Sequence, residues 1–345
     1  MVNTRSLNLS IAALALAAAS VANAQREGVP RQCRQQIVKL CGTDRATLRQ
    51  CLSDKRDQLG ADCKAQLTAR MREMRGSKAA PAMQSPSGTA RLVRYGPDPL
   101  QEIDYYAANG AKAPLVLFVH GGGWKRGDKR MMDGSAKLSR WREQGYAVAS
   151  LNYRLVPKAK VEDQAADVAA GLAALIKQAP RLGFDATRVA LVGHSAGAHL
   201  VALVGTDPQW LRGAGLDFGA IDGVVPLDGA GYLVPAQMDK NAMVLGDTYQ
   251  QAFGTDPVRQ LALSPTKHAA APNAPAFLIL HVQRDDAKQQ SEGLADALRR
   301  AGTPVELHAV PGRGLEGHME INRKLGEADY PATPIVDRWL AARFR

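Results

Sequence analysis

Three features of this 345-residue chain predict an α/β fold, a mostly parallel central sheet flanked by helices and preceded by a small disulfide-stapled helical module. From about Thr89 onward, short and fully apolar runs alternate with amphipathic stretches, the pattern of a sheet buried on both faces. The apolar run Val189–Val192 passes into Gly193-His194-Ser195-Ala196-Gly197, and the chain continues as a helix from Ala196. A strand, a turn bounded by glycines and a helix in that order describe a bend too sharp for ordinary side chains, with a serine hydroxyl at its tip. Finally, all four cysteines, Cys33, Cys41, Cys51 and Cys63, lie together ahead of the sheet pattern.

Residues 1–24 read as a secretory signal peptide. Arg5 supplies the positive start, Leu9–Val21 is a short apolar stretch, and Ala22-Asn23-Ala24 is a small-x-small cleavage site. The stretch is shorter than the roughly 20 residues that span a bilayer. The expected mature chain therefore begins at Gln25, exported to a periplasm or beyond, with no stable membrane span after cleavage. Residues 25–75 form the cysteine-rich helical module. An even, clustered set in an exported chain means disulfides before metal, and the spacing is not a zinc pattern. A helical hairpin turning at Gly42-Thr43-Asp44 favours nested bonds, Cys41 to Cys51 and Cys33 to Cys63. So small a module buries little apolar surface and needs such staples.

Residues 76–88 are rich in Ser, Pro and Ala without periodicity, and read as a linker. Residues 89–345 carry the alternating pattern. Strands are expected at Leu115–Val119, Ala147–Leu151, Val189–Val192, Val224–Leu227, Phe277–His281 and Val305–Val310. Helices are expected near Val161–Gln178, Ala196–Val204, Ala287–Ala301 and Pro334–Ala342. Right-handed crossovers then bring functional loops to the C-terminal ends of the strands.

The net charge of +11 does not point to nucleic acid. Residues 1–80 hold 14 Lys and Arg against 6 Asp and Glu, with no Phe, Tyr or Trp among them, whereas residues 81–345 hold 30 against 27. Nucleic-acid recognition wants a basic stripe interleaved with base-reading side chains, and no nucleic-acid partner is expected.

A serine hydroxyl needs a histidine to take its proton and a carboxylate to orient that histidine. Of the seven histidines, His120, His194 and His199 belong to turns or packing close to the motifs. His268, His281 and His308 sit before, at the end of, or within strands. His318 follows the last strand and the loop Pro311–Gly317, and is the expected base. The acid is expected after Phe277–His281, where Asp285 and Asp286 stand side by side. Distance from the strand favours Asp285 and distance back from the helix favours Asp286, which is the first choice. Asp228, after Val224–Leu227, is the remaining candidate. The run Val116–Val119 enters His120-Gly121-Gly122-Gly123-Trp124, so the oxyanion donors are expected to be the backbone N–H groups of Gly122, Gly123 and Ala196. Trp124 either walls the substrate site or packs beneath this loop. Gly312-Arg313-Gly314-Leu315-Glu316-Gly317 matches GxGxxG, but the 28 residues after it leave no room for a dinucleotide-binding βαβ unit. No cofactor and no metal are expected.

These segments are recognisable as a set. Tyr95-Gly96-Pro97, His120–Trp124 with Gly127-Asp128-Lys129, Asn152-Tyr153-Arg154-Leu155, Gly193–Leu200 and Gly317-His318 resemble the α/β-hydrolase superfamily. Within it, the likeness is to bacterial HGGG-type carboxylesterases near the hormone-sensitive-lipase-like and feruloyl-esterase-like groups. The resemblance covers residues 89–345 and implies Ser195 as nucleophile, His318 as base and an acid in the Asp285/Asp286 loop. The usual Gly-x-x-Asp turn is replaced there by Val282-Gln283-Arg284-Asp285-Asp286. The implied activity is serine hydrolysis of a small-molecule or glycan carboxylic ester. Gly193–His199 also resembles arylformamidases, which makes amide hydrolysis the nearest alternative, and a non-catalytic binding protein on the same fold is a further one. The stretch from Cys33 through Cys41 to Cys51-Leu52 resembles the cysteine-rich repeat of Golgi glycoprotein ectodomains. That likeness implies no chemistry and leaves the module free to bind a partner, gate the site or aid export.

Overall fold

Apolar runs that alternate their side chains between two faces must be covered twice, and the chain supplies two layers of helices to do so. In the computed structural model, which describes residues 31–41, 55, 58–65, 90–241, 247–270 and 272–345, eight strands form one sheet. They are β1 (Arg91–Arg94), β2 (Glu102–Tyr106), β3 (Ala113–Val119), β4 (Ala147–Leu151), β5 (Phe184–His194), β6 (Gly223–Leu227), β7 (Phe277–Gln283) and β8 (Val305–Arg313). Their order is β1-β2-β4-β3-β5-β6-β7-β8. β1 and β2 pair antiparallel, as do β2 and β4, and every other pairing is parallel.

The helices, in chain order, are α1 (Arg31–Cys41), α2 (Ala136–Glu143), α3 (Val161–Leu182), α4 (Ala196–Thr206), α5 (Pro208–Gly213), α6 (Val234–Asn241), α7 (Thr248–Phe253), α8 (Pro257–Ala262), α9 (Pro265–His268), α10 (Asp285–Arg300), α11 (Gly314–Lys324) and α12 (Ala332–Arg343). Alternate strand residues sort onto two faces, as a period of two requires. Leu115, Leu117, Val189, Leu191, Phe277 and Ile279 pack with Val168 and Leu172 of α3, Leu200 and Leu203 of α4, and Leu294 and Leu298 of α10. Val116, Phe118, Ala190, Val192, Leu278 and Leu280 face the other way, onto Trp141 of α2, Ile321 of α11, and Val336 and Trp339 of α12. The central strands are thus sandwiched, and the C-terminal ends of the six parallel strands, β3 to β8, lie along one edge.

β1 and β2 were not among the expected strands. In β1 only Val93 is buried, and β2 places Asp104 inside, where Lys129 Nζ donates to it at 2.6 Å. Charged residues in these two strands, at one side of the sheet, erase the apolar signal. β8 also runs on through the expected loop to Arg313, and α11 begins at once at Gly314.

The chain divides into two compact units, Met1–Ser85 and Pro86–Arg345. In the first, a disulfide joins Cys33 and Cys63, with Cα atoms 5.2 Å apart. It fastens α1 to a helical turn at 61–65, with Ile37 and Leu59 packed beside it. The other expected bond involves Cys51, which lies outside the described residues, as do the signal segment and the linker. No helix among the described residues is long and apolar enough to cross a membrane.

Candidate active site

The bend between β5 and α4 is sterically forced. A Cβ on Gly193 would lie 2.3 Å from the Gly197 carbonyl oxygen, and one on Gly197 would lie 2.1 Å from that of Val119. Neither position accepts a side chain. Between them Ser195 adopts φ 57° and ψ −118°, a region non-glycine residues avoid, where such strain is held by the surrounding structure. Its N–H is fixed by the Leu227 carbonyl at 3.1 Å. Ala196 opens α4, so its N–H is among the first four helical amides, which have no acceptor inside the helix.

His318 comes from the second turn of α11, which starts where β8 ends. Its Nε2 lies 3.0 Å from Ser195 Oγ, within reach of the hydroxyl proton. Its Nδ1–H donates to Asp228 Oδ2 at 2.6 Å, which sets the tautomer that leaves Nε2 as acceptor. Asp228 follows β6 with φ 45° and is fully buried. Its carboxylate also accepts from the Val282 N–H at 2.8 Å and from Arg284 Nη1 at 3.2 Å. Burial by itself would push the Asp228 carboxyl up. The hydrogen bond from His318 and the charge of Arg284 outweigh it and hold the group below the ordinary carboxylate range.

The carboxylate at His318 is therefore Asp228, and the expectation of Asp286 or Asp285 is corrected. Asp286 turns instead to Arg284, accepting from Nε at 3.1 Å and Nη2 at 2.9 Å, and from Gln237 Nε2 at 3.2 Å. Asp285 is exposed in the first turn of α10. The helix starts directly after β7 and Arg284, so both carboxylates are carried into its first turn. Asp228 lies at the end of β6, the strand next to the serine's own, and its main chain is tied to β7 through the Leu280 carbonyl at 2.7 Å.

The remaining histidines are occupied elsewhere. His194 Nε2–H donates to the His318 carbonyl at 2.8 Å, a link that a sequence reading of it as a turn residue missed. Burial, with the neighbouring His318 charge, pushes the His194 imidazole down to about 3, so it stays neutral. Buried His199 donates from Nε2 to the Leu263 carbonyl at 2.8 Å, and burial lowers it to about 4. His120 stacks on Tyr153 with ring centroids 4.4 Å apart. His281 and His268 bond main-chain carbonyls, and His308 lies beside Glu306.

The loop after β3 lies against the serine turn. A Cβ on Gly121 would sit 2.8 Å from the His194 carbonyl oxygen and 3.0 Å from Ser195 Cβ. Gly122 has φ 131°, and a Cβ there would fall 2.0 Å from the Arg126 carbonyl oxygen, so only glycine fits. The loop is braced from outside. Tyr153 Oη donates to the His120 carbonyl at 3.0 Å, and the Val156 N–H and Gln164 Nε2 donate to that of Trp124 at 3.1 and 2.8 Å. The Trp124 ring is 3% exposed and packs on His199, Tyr249 and Phe253, with centroids 5.5, 5.4 and 4.7 Å away. It is a prop beneath the loop, the second of the two expected roles, and not the substrate wall. Thr248, at the start of α7, reaches the loop at Gly123, a neighbour no motif announced. Among the described residues, no group of three or more His, Cys, Asp or Glu is arranged to hold a metal ion.

A family model described as BD-FAE matches residues 102–298, more than half of the chain. Esterase LipC of Mycobacterium tuberculosis is 30% identical over 240 residues, which cover 65% of this chain and 59% of LipC. Carboxylic ester hydrolase LipN of the same organism is 32% identical over 232 residues, covering 61% and 60%. The chain thus spans about 60% of the length of these curated relatives. Among solved structures, Esterase B from Lactobacillus Rhamnosis matches with a TM-score of 0.62 at 22% identity, covering 81% of this chain and 94% of that one. At that identity the likeness is one of fold, the α/β-hydrolase fold.

Proposed function

The chain belongs to the BD-FAE family, and from that premise we propose that it hydrolyses carboxylic esters through an acyl-enzyme formed on Ser195. The observation that carries the reading is the unbroken line from Ser195 Oγ to His318 Nε2 at 3.0 Å and from His318 Nδ1 to Asp228 at 2.6 Å. In the first half-reaction Ser195 Oγ attacks the ester carbonyl while His318 Nε2 takes its proton. Asp228 stabilises the imidazolium that forms and keeps the ring turned. The N–H groups of Gly122, Gly123 and Ala196 receive the negative charge on the carbonyl oxygen. Collapse of the tetrahedral intermediate breaks the C–O bond, and the departing alcohol takes the proton from His318. In the second half, His318 deprotonates a water that attacks the acyl-serine, and the acid leaves with Ser195 restored.

The substrate class is a small-molecule or glycan ester, and the site of action lies beyond the cytoplasm. The second point rests on Leu9–Val21 followed by Ala22-Asn23-Ala24. Ser195→Ala, purified in equal yield, is expected to lose hydrolysis of short p-nitrophenyl esters and labelling by a fluorophosphonate. Retention of wild-type turnover overturns the reading. Intact mass of exported material is expected to show a chain starting at Gln25, and a mass that retains Arg5 overturns the export reading.

A further inference from the structure

We propose that Arg284 is a positioning residue for the triad, holding the Asp228 carboxylate against His318 and limiting how strongly that carboxylate retains the imidazolium proton. The proposal rests on the serine-hydrolase reading above. Its basis is a chain of charges, buried at Asp228 and mostly shielded at Arg284 and Asp286, that catalysis by Ser195, His318 and Asp228 alone does not require. Arg284 Nη1 reaches Asp228 Oδ2 at 3.2 Å, the same oxygen that receives His318 Nδ1–H at 2.6 Å. The far side of the guanidinium is held in a two-point grip by Asp286, at 3.1 and 2.9 Å. Asp286 is in turn bonded by Gln237 of α6, whose Nε2 also donates to Tyr249 Oη of α7 at 3.3 Å. The Arg284 side chain is 15% exposed, so water screens these charges little.

A planar, two-sided donor clamped by Asp286 fixes where Asp228 can point, which a flexible cation would not do. Its positive charge also competes with imidazolium for the same carboxylate oxygen. Removing Arg284 leaves Asp228 and Asp286 uncompensated, which favours protonated His318. Removing the Asp286 charge leaves the guanidinium uncompensated, which disfavours it. The other titratable groups beside this cluster are His194 at the end of β5, Tyr232 beyond β6, Tyr249 on α7 and Tyr330 after α11; Lys137 on α2, which donates to the Asn322 carbonyl of α11, acts on His194, and Glu320 of α11 acts on Tyr330. All of them are unchanged in the variants below, so a difference between variants reports the Arg284–Asp286 pair.

The test is the pH profile of kcat/KM for a short p-nitrophenyl ester, whose acid limb marks loss of the neutral base. Arg284→Met is expected to move that limb to higher pH and Asp286→Asn to lower pH, each by roughly half a unit or more for charges within this distance. Arg284→Lys is expected to return the limb most of the way while leaving kcat reduced, because an ammonium restores charge without the two-sided grip. Acid limbs that coincide with wild type, or that move in the same direction in both variants, overturn the proposal. Should Arg284→Met fail to fold by thermal melting, Asp286→Asn decides alone: a downward shift supports, no shift or an upward shift overturns. Failure of the underlying reading is separately visible, because the wild-type protein would then resist fluorophosphonate labelling at Ser195. Failure of the inference leaves it labelled, active and unmoved in pH.

Discussion

The imidazole of His194 donates a hydrogen bond to the main-chain carbonyl of His318 at 2.8 Å, and the two rings lie 4.6 Å apart. The residue just before the serine thus holds the backbone of the residue whose ring faces that serine. Two segments far apart in sequence are locked at the point where a displacement of an ångström would separate Oγ from Nε2. His194→Phe keeps ring volume and removes the donor. A buried carbonyl losing its partner costs about 1–3 kcal/mol. We expect kcat to fall roughly 10-fold or more, with KM changing less, since orientation and not substrate contact is lost. Steady-state kinetics on a short ester check this, and an unchanged kcat refutes it.

Asp228 and Asp285 separate the observed acid from one of those the sequence suggested. Asp228→Asn keeps shape but cannot hold His318 in the tautomer that accepts from Ser195. The loss in kcat is expected to be on the order of 10⁴. Asp285→Asn, on an exposed carboxylate, is expected to leave kcat within about twofold, in line with the small effects of surface substitutions. The reverse pattern would return the acid to the loop after β7.

Gly122 is tested by its own geometry. With φ at 131° and the Arg126 carbonyl oxygen 2.0 Å from any Cβ, Gly122→Ala must shift the loop that carries the proposed oxyanion amides. Loss of one such donor lowers kcat by about 10²–10³. Substrate binding is made elsewhere as well, so KM is expected to move little. Paired kcat and KM values for wild type and variant read this directly.

Lys137 gives a pH-dependent stability. Its side chain is buried, with Nζ donating to the Asn322 carbonyl at 2.8 Å and lying 5.3 Å from the Phe118 ring centre. Burial pushes the ammonium down to about 8 from the ordinary 10.5. Between those values the unfolded chain binds more protons at this site than the folded one. Stability from this group therefore rises with pH across that window. Lys137→Met removes the linkage, so the melting temperature of wild type relative to the variant is expected to climb from pH 7.5 to pH 10. Parallel curves of melting temperature against pH would exclude the effect.

How much of this was readable beforehand varies with the range of the force involved. The serine bend could be read because its requirement is local. Gly193 and Gly197 are needed by contacts within the bend and with the neighbouring strand end, and each leaves its mark at its own position. Strands β3 to β7 could be read for a related reason, since burial on both faces over most of their length admits almost nothing but apolar residues. β1 and β2 were not, because Arg91, Arg94, Glu102 and Asp104 sit among their apolar residues. His318 was reached by order along the chain, but the first turn of the helix that carries it, Gly314–Gly317, was taken for the end of a loop because of the glycines at 312, 314 and 317. The acid could not be read at all from spacing, since Asp228 and Asp286 each follow a parallel strand of the same sheet.

The sequence by itself determined the parallel sheet, the site of the strained serine, the glycine-bound loop beside it and the histidine beyond the last strand, because each is dictated by burial or by backbone sterics within a few residues. Which carboxylate meets that histidine, and that Trp124 props the loop from within the core, were decided only by the tertiary structure. Both depend on side chains competing for partners across elements: Arg284 engages Asp286 and still reaches Asp228, and an aromatic cluster from α4 and α7 encloses the indole. Such competition is settled by distances of a few ångströms between segments that lie far apart along the chain.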